Sequence, residues 1–528
     1  MRAGAAWLVL GLVGCGAGGI ARSDGGPGLI DLERPRTPGD PGAAEVRVEV
    51  TSRGPRRRIS PLIYGTNQPT TPQASRYTVL RLGGSRLTAY NWENNASNGG
   101  SDHGFQNDAY LSTRDTPGEV VRTQLASAAA IGAAALLTVP LVDAVAADKR
   151  SDGDVRATPD YLTTRFRRNR ALKGAALASP PDATDAWVSQ DEFVGWVKAH
   201  AGSTPVLFSL DNEPDLWSRI HAEVHPGALT SAELVSRTLA FARAIKGVWP
   251  EAEVTGFVAS GYAAYQDLDL PGFLAQLAAA RDGNGGHRLV DYLDLHWYPE
   301  ASAGGVRVTR ADASPAVVLA RVQAPRSLWD PSYVEASWIT SSLHGPIQLL
   351  PWLRGLLAAH DPGLKLAVTE WNYGAGGSIS GAVASADVLG IFGRDGVDLA
   401  THWKLDGEER FTEAAFAAYR NFDGAGGAFG DTALSATSSA VASVTAYASL
   451  DQADPGRTVV VLINKDPGTH TVGLTLAHPS AYPTARVYHL TQAGGPTLVP
   501  GPDLVAVALN AFRPAVPGLS VTVLEARP

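Results

Sequence analysis

The stretch PVLFSLDNEP, residues 205–214, sets a short apolar run against a polar turn that ends in Asn212-Glu213-Pro214. Such a run, bounded by turn residues, reads as a buried strand, so Glu213 is delivered at a strand end. A second run, 364–368, delivers Glu370 in the same way. Two carboxyl groups at the ends of two buried strands are the equipment for cleaving glycosidic bonds. One protonates the departing sugar oxygen and the other, about 5–5.5 Å away in enzymes that retain configuration, attacks the anomeric carbon. Only a fold that brings distant strand ends together supplies that pair.

Working outward, runs of this kind recur at 61–66, 78–83, 134–139, 205–210, 253–258, 291–296, 365–370 and 397–403. Between several of them, at 119–131, 190–200, 230–248 and 347–360, apolar residues return every three or four positions, and Thr230 to Glu233 offers a capping box. Strands that alternate with helices predict parallel pairing, and eight of them predict an α/β fold, a (β/α)8 TIM barrel. Glu213 then follows the fourth strand and Glu370 ends the seventh. The link from the first run to the second, 68–76, is too short for an ordinary helix.

Beyond residue 430 the pattern becomes alternation, at 457–464, 471–476, 485–490, 505–509 and 519–524, between Pro and Gly turns. This is the signature of an antiparallel sheet. The segment 45–51, with Val46, Val48 and Val50 on one face, has the same character. The expected organisation is a signal segment 1–15, a flexible linker 16–44, a strand region 45–60 that joins a smaller antiparallel β-sandwich, a barrel over 61–430 and the sandwich proper over 431–528.

The 528 residues are 45% hydrophobic and 18% charged, which is compatible with a large core, and the net charge of -8 argues against a nucleic-acid partner. The basic clusters Arg56 to Arg58 and Arg165 to Arg170 are short and lack interleaved aromatics, so they read as solvated loops. Near the amino terminus an apolar stretch, 5–13, is too short to span a bilayer and right for an export signal. It ends in Leu12-Val13-Gly14-Cys15, which looks like the lipobox of bacterial lipoproteins, and Cys15 is the only cysteine. The expectation is an exported, monomeric protein, held as a lipoprotein at the bacterial outer surface or in the periplasm through a lipid on Cys15, or alternatively secreted.

Trp92, Trp217, Trp297, Tyr298, Trp371, Tyr373 and Trp403 fall at or just past strand ends, where flat apolar faces suit pyranose rings. More specific are the segments RLGGSRLTAYNWENNASNGGSD (81–102), FSLDNEPDLW (208–217), LHWYP (295–299), SLWDPSYVEASW (327–338), VTEWNYG (368–374), AAYRNFDGAGGAFGD (417–431) and VVVLINK (459–465). Together they resemble glycoside hydrolase family 44, whose members are retaining β-1,4-glucanases acting on xyloglucan or soluble cellulose. The resemblance covers nearly everything from residue 45 onward. It implies Glu213 as general acid/base, Glu370 as nucleophile and Asn212 as a hydrogen-bond partner of the 2-hydroxyl in the −1 subsite. His296 and Tyr298, at the end of the sixth strand, are placed to orient the nucleophile.

The resemblance also implies a structural calcium, held by the Asp148, Asp152 and Asp154 loop together with Glu93; hard oxygen ligands suit that ion. No organic cofactor is implied. One position departs from the family: His103 stands where a Trp is usual. His221-x-Glu223-x-His225 has the wrong order for a zinc-protease helix and is expected on a loop near the cleft rim, and the glycines at 374–377 lack a complete nucleotide-binding pattern. The rivals are a barrel-plus-sandwich glycosidase acting on xylan, mannan or arabinan, and a surface glycan-binding protein without catalysis.

Overall fold

The computed structural model describes residues 30–68, 77–405 and 407–528. Cys15, the signal segment and half of the expected linker lie outside these residues, as does most of the short link 68–76.

Eight parallel strands close a barrel: β1 (Gly65–Thr66), β2 (Val79–Leu82), β3 (Ala134–Val139), β4 (Val206–Leu210), β5 (Glu253–Ala259), β6 (Tyr292–Trp297), β7 (Lys365–Trp371) and β8 (Leu399–His402). Their residues are buried almost throughout, because helices cover the outside and side chains fill the inside. β1 is shorter than its apolar run. Pro61, with its fixed φ and no N–H, opens a 3-10 turn over Pro61–Ile63 that Ser60 caps by accepting from the Leu62 amide at 3.2 Å, and only two residues remain to pair. Pairing slips at Phe257/Ala259, at Leu295/His296 and between Val368 and Trp371. All three irregularities sit toward the C-terminal ends of β5, β6 and β7. Bulges there re-aim side chains, and they leave His296 level with Glu370.

Among the outer helices, Ser231–Val248 starts where the Thr230 hydroxyl accepts from the Glu233 amide at 3.2 Å. Helix Ile379–Asp395 is different, since every residue from Ile379 to Gly393 is buried. It lies between the barrel and the second sheet, which explains why every residue of that stretch except Asp387 is apolar or small.

The second unit is built on strands Thr432–Ser438, Val444–Leu450, Thr458–Asn464, His470–Ala477, Thr484–Thr491 and Ser520–Arg527. Val46–Thr51 sits between Thr432–Ser438 and His470–Ala477, antiparallel to the first and parallel to the second. Its inward valines pack with Leu434, Leu462, Leu474 and Phe512 in a separate core. Two strands, Thr432–Ser438 and Val444–Leu450, were not anticipated from the sequence. The expected strand at 505–509 is corrected: only Leu504–Val505 pairs, with an isolated bridge from Ala508 to Ala511. Its alternating apolar residues Val505, Val507 and Leu509 are exposed, so the period there marks a surface edge and not a buried face. No helix among the described residues is long and apolar enough to cross a membrane.

Candidate active site

Glu213 leaves β4 through a backbone that only tertiary contacts hold. Asp211 and Glu213 both take left-handed conformations, with φ of 69° and 47°, which side chains other than glycine rarely adopt. The Asp211 carboxylate secures the turn: it accepts from the Thr88 hydroxyl at 2.6 Å and from the amides of Leu141 and Asn212 at 2.5 and 2.7 Å. The Glu213 amide in turn donates to the Val258 carbonyl at 3.0 Å, across the bulged end of β5. Asn212 is held by its oxygen, which accepts from Arg81 Nη2 at 2.8 Å and from the Gly84 amide at 3.1 Å. Its amide nitrogen is left as the donor.

Glu370, at the end of β7, accepts from Arg81 Nη1 at 2.7 Å and from the Tyr298 hydroxyl at 2.8 Å. His296 lies between the two acids, with Nδ1 3.0 Å from Glu213 and 3.5 Å from Glu370. One ligand atom from each of Glu213, His296 and Glu370 lies within 4.8 Å of the others, which is the close spacing of a retaining pair and shorter than the separation of about 6.5–9.5 Å that inversion requires. Tyr265 donates its hydroxyl to the His296 carbonyl and so fixes the bulge that aims the imidazole.

The two carboxyl groups are pushed in opposite directions. Burial raises the pKa of Glu213; hydrogen bonding from His296 counters this, and the negative charge of Glu370 adds to the rise. Burial also acts to raise Glu370, but there His296 and then Arg81 outweigh it and hold the group below the ordinary carboxylate range. The outcome is one acid that keeps its proton beside one that gives it up. Glu213 lines a cavity of about 810 Å³ whose walls also include Asp215, Tyr262, Trp297, Trp338 and Tyr298, the residue that holds Glu370.

The expected aromatic platform is mostly core. Trp92 is 1% exposed and packs on Phe193 and Trp196, and Trp371 is fully buried against Phe392 and Phe416. Tyr373 is buried too, accepting from Trp297 Nε1 at 3.1 Å, while Trp217 is buried with its Nε1 3.4 Å from Asp211. These four are corrected from sugar contacts to scaffold, because a ring just past a strand end can turn inward as readily as outward. Trp297 and Tyr298 do line the cavity. Trp403 is half-buried and lies over Gly84, where a Cβ would come within 2.7 Å of its ring, on the Asn212 side of the acids. Sequence reasoning missed Arg81 and Trp338, although they open and close two of the family-like segments, 81–102 and 327–338. It also missed Tyr262, which stands in none of them.

The expected calcium donors are not brought together. Asp148 and Asp152 both bind Arg165, each at 2.7 Å, and Asp154 binds Arg156 at 2.7 Å. Guanidinium groups already supply the positive charge there, so that set does not fit a cation. Glu93 is buried elsewhere, facing Asp185, Glu192, Lys173 and Asp182; burial first, then Asp185 and Glu192, pushes its pKa up to about 8. His221 and His225 are buried and not at a rim; they bond Glu223 at 2.9 Å and Glu233 at 3.0 Å. His103 is exposed, its ring 6.1 Å from that of Tyr110.

Comparison with known proteins adds an independent line. The family model for Glycoside hydrolase family 44 matches residues 96–301. Endoglucanase A of Paenibacillus lautus is 35% identical over 510 residues, covering 90% of this chain and 72% of its own length. Beta-mannanase/endoglucanase A of Caldicellulosiruptor saccharolyticus is 35% identical over 485 residues, 84% of this chain, which spans only 36% of that larger protein. The structure of a Paenibacillus polymyxa xyloglucanase from family 44, solved with xyloglucan, superposes with a TM-score of 0.86 at 34% identity, covering 92% of this chain and 99% of that one.

Proposed function

Because the chain belongs to glycoside hydrolase family 44, we propose that Glu213 and Glu370 are the acid/base and the nucleophile of an endo-acting cleavage of β-1,4-glucan backbones with retained configuration. The observation that carries this is the pair itself: two carboxyl groups opposed at retaining distance, one favoured protonated and one favoured charged. In the first step a Glu370 oxygen attacks the anomeric carbon while Glu213 gives its proton to the departing O4. The glycosidic bond breaks and a glycosyl ester forms. Esterification removes the negative charge of Glu370, and with it part of what kept Glu213 protonated. Glu213 then takes a proton from water as that water attacks the same carbon, which releases Glu370 and restores both groups.

Arg81 serves both halves of this chemistry. One Nη holds the nucleophile and the other fixes Asn212, which we assign to the 2-hydroxyl of the sugar in the −1 subsite. Tyr298 holds the second oxygen of Glu370. Trp403 is assigned to the −1 side, and Trp297, Tyr298 and Trp338 to the leaving-group side.

For substrate we favour branched, xyloglucan-like β-1,4-glucan. Support comes from a fork in the cleft: a side groove of about 520 Å³ shares Glu300, Arg307 and Trp338 with the main cavity. Trp338 is 46% exposed and rests edge-on against Tyr262 at 6.2 Å, while the Glu300–Arg307 pair at 2.9 Å forms the rim. Proton NMR of the first anomer released from xyloglucan and from carboxymethylcellulose tests substrate and stereochemistry together. A first-formed α-anomer, or no hydrolysis of either polymer, would overturn the assignment.

Export as a Cys15 lipoprotein and a monomeric state complete the reading. Metabolic labelling with palmitate, lost in Cys15→Ser, checks the anchor.

A further inference from the structure

The face of the barrel opposite the catalytic mouth carries a groove that the glucanase reading does not use. It holds about 490 Å³ and is lined by Arg56, Arg57, Arg58 and Arg394 beside Ala433 and Ser435. Arg57 lies against Gly396, where a Cβ would come within 2.3 Å of its Nη1. Gly396, at φ 70°, ends helix Ile379–Asp395 just before β8, which places the groove at the N-terminal ends of the strands. Glu213 and Glu370 lie at the other ends.

The charges in this groove are only partly compensated. Arg56 binds Glu33 at 2.7 Å, and Arg394 binds Asp395 at 2.7 Å while lying 4.2 Å over the ring of Trp329. Arg57 and Arg58 are exposed, and neither is ion-paired among the described residues. Arg354, close enough to feel the charge of Arg57, has a buried Nη2 without a hydrogen-bond partner. Guanidinium groups crowd together here in a protein whose net charge is -8.

The chain also enters at this point. The described residues begin at Ile30, and Glu33 is tied to Arg56 and, at 3.4 Å, to the Gly54 amide. Twenty-nine residues precede Ile30, and three residues after it Glu33 is already tied to Arg56.

From the exposed, unpaired Arg57 and Arg58 and the position opposite the catalytic mouth, we infer that the Arg56–Arg58 face docks on an anionic phospholipid surface, whose phosphates Arg57 and Arg58 bind, and holds the cleft pointing away from the membrane. Guanidinium suits phosphate because its planar fork donates two hydrogen bonds at once. An anionic surface strengthens partitioning by about fivefold for each arginine brought near it, an effect that fades beyond a Debye length.

The test compares full-length wild type with Arg57→Glu/Arg58→Glu by co-sedimentation with sucrose-loaded vesicles of phosphatidylcholine, alone or with about one third phosphatidylglycerol. Both proteins carry the same amino terminus, so any contribution of an anchor cancels in the comparison. At about 0.05 M salt the wild type is expected to partition at least about tenfold more onto the phosphatidylglycerol vesicles, and the preference should vanish near about 0.5 M. The double glutamate variant should show no preference, whereas Arg57→Lys/Arg58→Lys should keep it, separating charge from local folding. Hydrolysis of soluble xyloglucan by all three should match. A wild type indifferent to phosphatidylglycerol, a glutamate variant that still discriminates, or equal loss in the lysine variant would overturn the inference, whether or not the chain cleaves glucan.

Discussion

At the junction of barrel and sandwich, Lys465 and Asp387 are fully buried and meet at 2.8 Å; at the mouth of the barrel, Arg81 and Glu370 meet at 2.7 Å with nearly equal burial. The junction closes on itself. Asp387 also accepts from the hydroxyls of Thr445 and Tyr447, both at 2.7 Å, so a helix of the barrel and two strands of the sandwich are bound through one carboxylate. The mouth does the reverse. Glu370 is set beside a second carboxyl group, His296 Nε2 is buried without a hydrogen-bond partner, and the backbone at Asp211 and Glu213 is left-handed. Buried polarity at the junction is spent within the protein, whereas at the mouth it is held ready for a substrate.

Several substitutions sharpen or break that contrast. The largest effect is expected from Glu370→Gln, a loss of about 10⁴- to 10⁶-fold in kcat with the fold intact. It should also lower the pKa of Glu213, seen by infrared difference spectroscopy, since a negative neighbour is gone; burial keeps it above the ordinary range. In the wild type kcat/KM should then fall at low pH as Glu370 takes a proton and at high pH as Glu213 loses one, the two limbs belonging to the coupled pair. A Glu213 carboxyl that does not move in the variant would show that the two acids do not communicate.

Glu213→Ala comes next, with about 10²- to 10⁴-fold lost on polysaccharide and far less on activated aryl glycosides, which leave without a proton. Equal losses on both would count against its role as acid. At the junction, Lys465→Met alone strands a buried carboxylate and should cost about 3–5 kcal/mol of stability while leaving activity per folded molecule unchanged. Denaturant melts should show Lys465→Met/Asp387→Leu recovering most of that, because neither partner is then left charged. If Lys465→Met instead lowers kcat at unchanged stability, the division between the two regions is wrong. The smallest effect is expected of Trp338→Ala: roughly a five- to tenfold rise in KM on branched glucan and little change on linear glucan, from the loss of one aromatic face.

The barrel was legible in the chain because its strands are buried on both sides and so read as uninterrupted apolar runs. β1 was legible only as a run; the proline-led turn that consumes half of it is a local contest between two hydrogen-bonding patterns. The failure at 505–509 has the opposite cause, since alternation reports a two-faced strand without saying that either face is covered. Of the site, both acids and Asn212 stand in motifs that could be read directly. Arg81, which touches both Glu370 and Asn212, could not, because an arginine in an apolar run is equally a buried structural pair until its partners are known. Trp92, Trp217, Trp371 and Tyr373 failed as sugar platforms for a related reason: sequence gives the kind of ring and leaves its direction open.

By itself the amino-acid order determined that two glutamates end two parallel strands of an eight-stranded barrel, because hydrophobic period and turn residues are local properties. What only the folded state decided is that these carboxyl groups lie within 4.8 Å of each other beside His296, with His296 and then Arg81 biasing Glu370 toward charge. Proton affinity depends on distance, burial and neighbouring charge, and those belong to the arrangement of the chain in space.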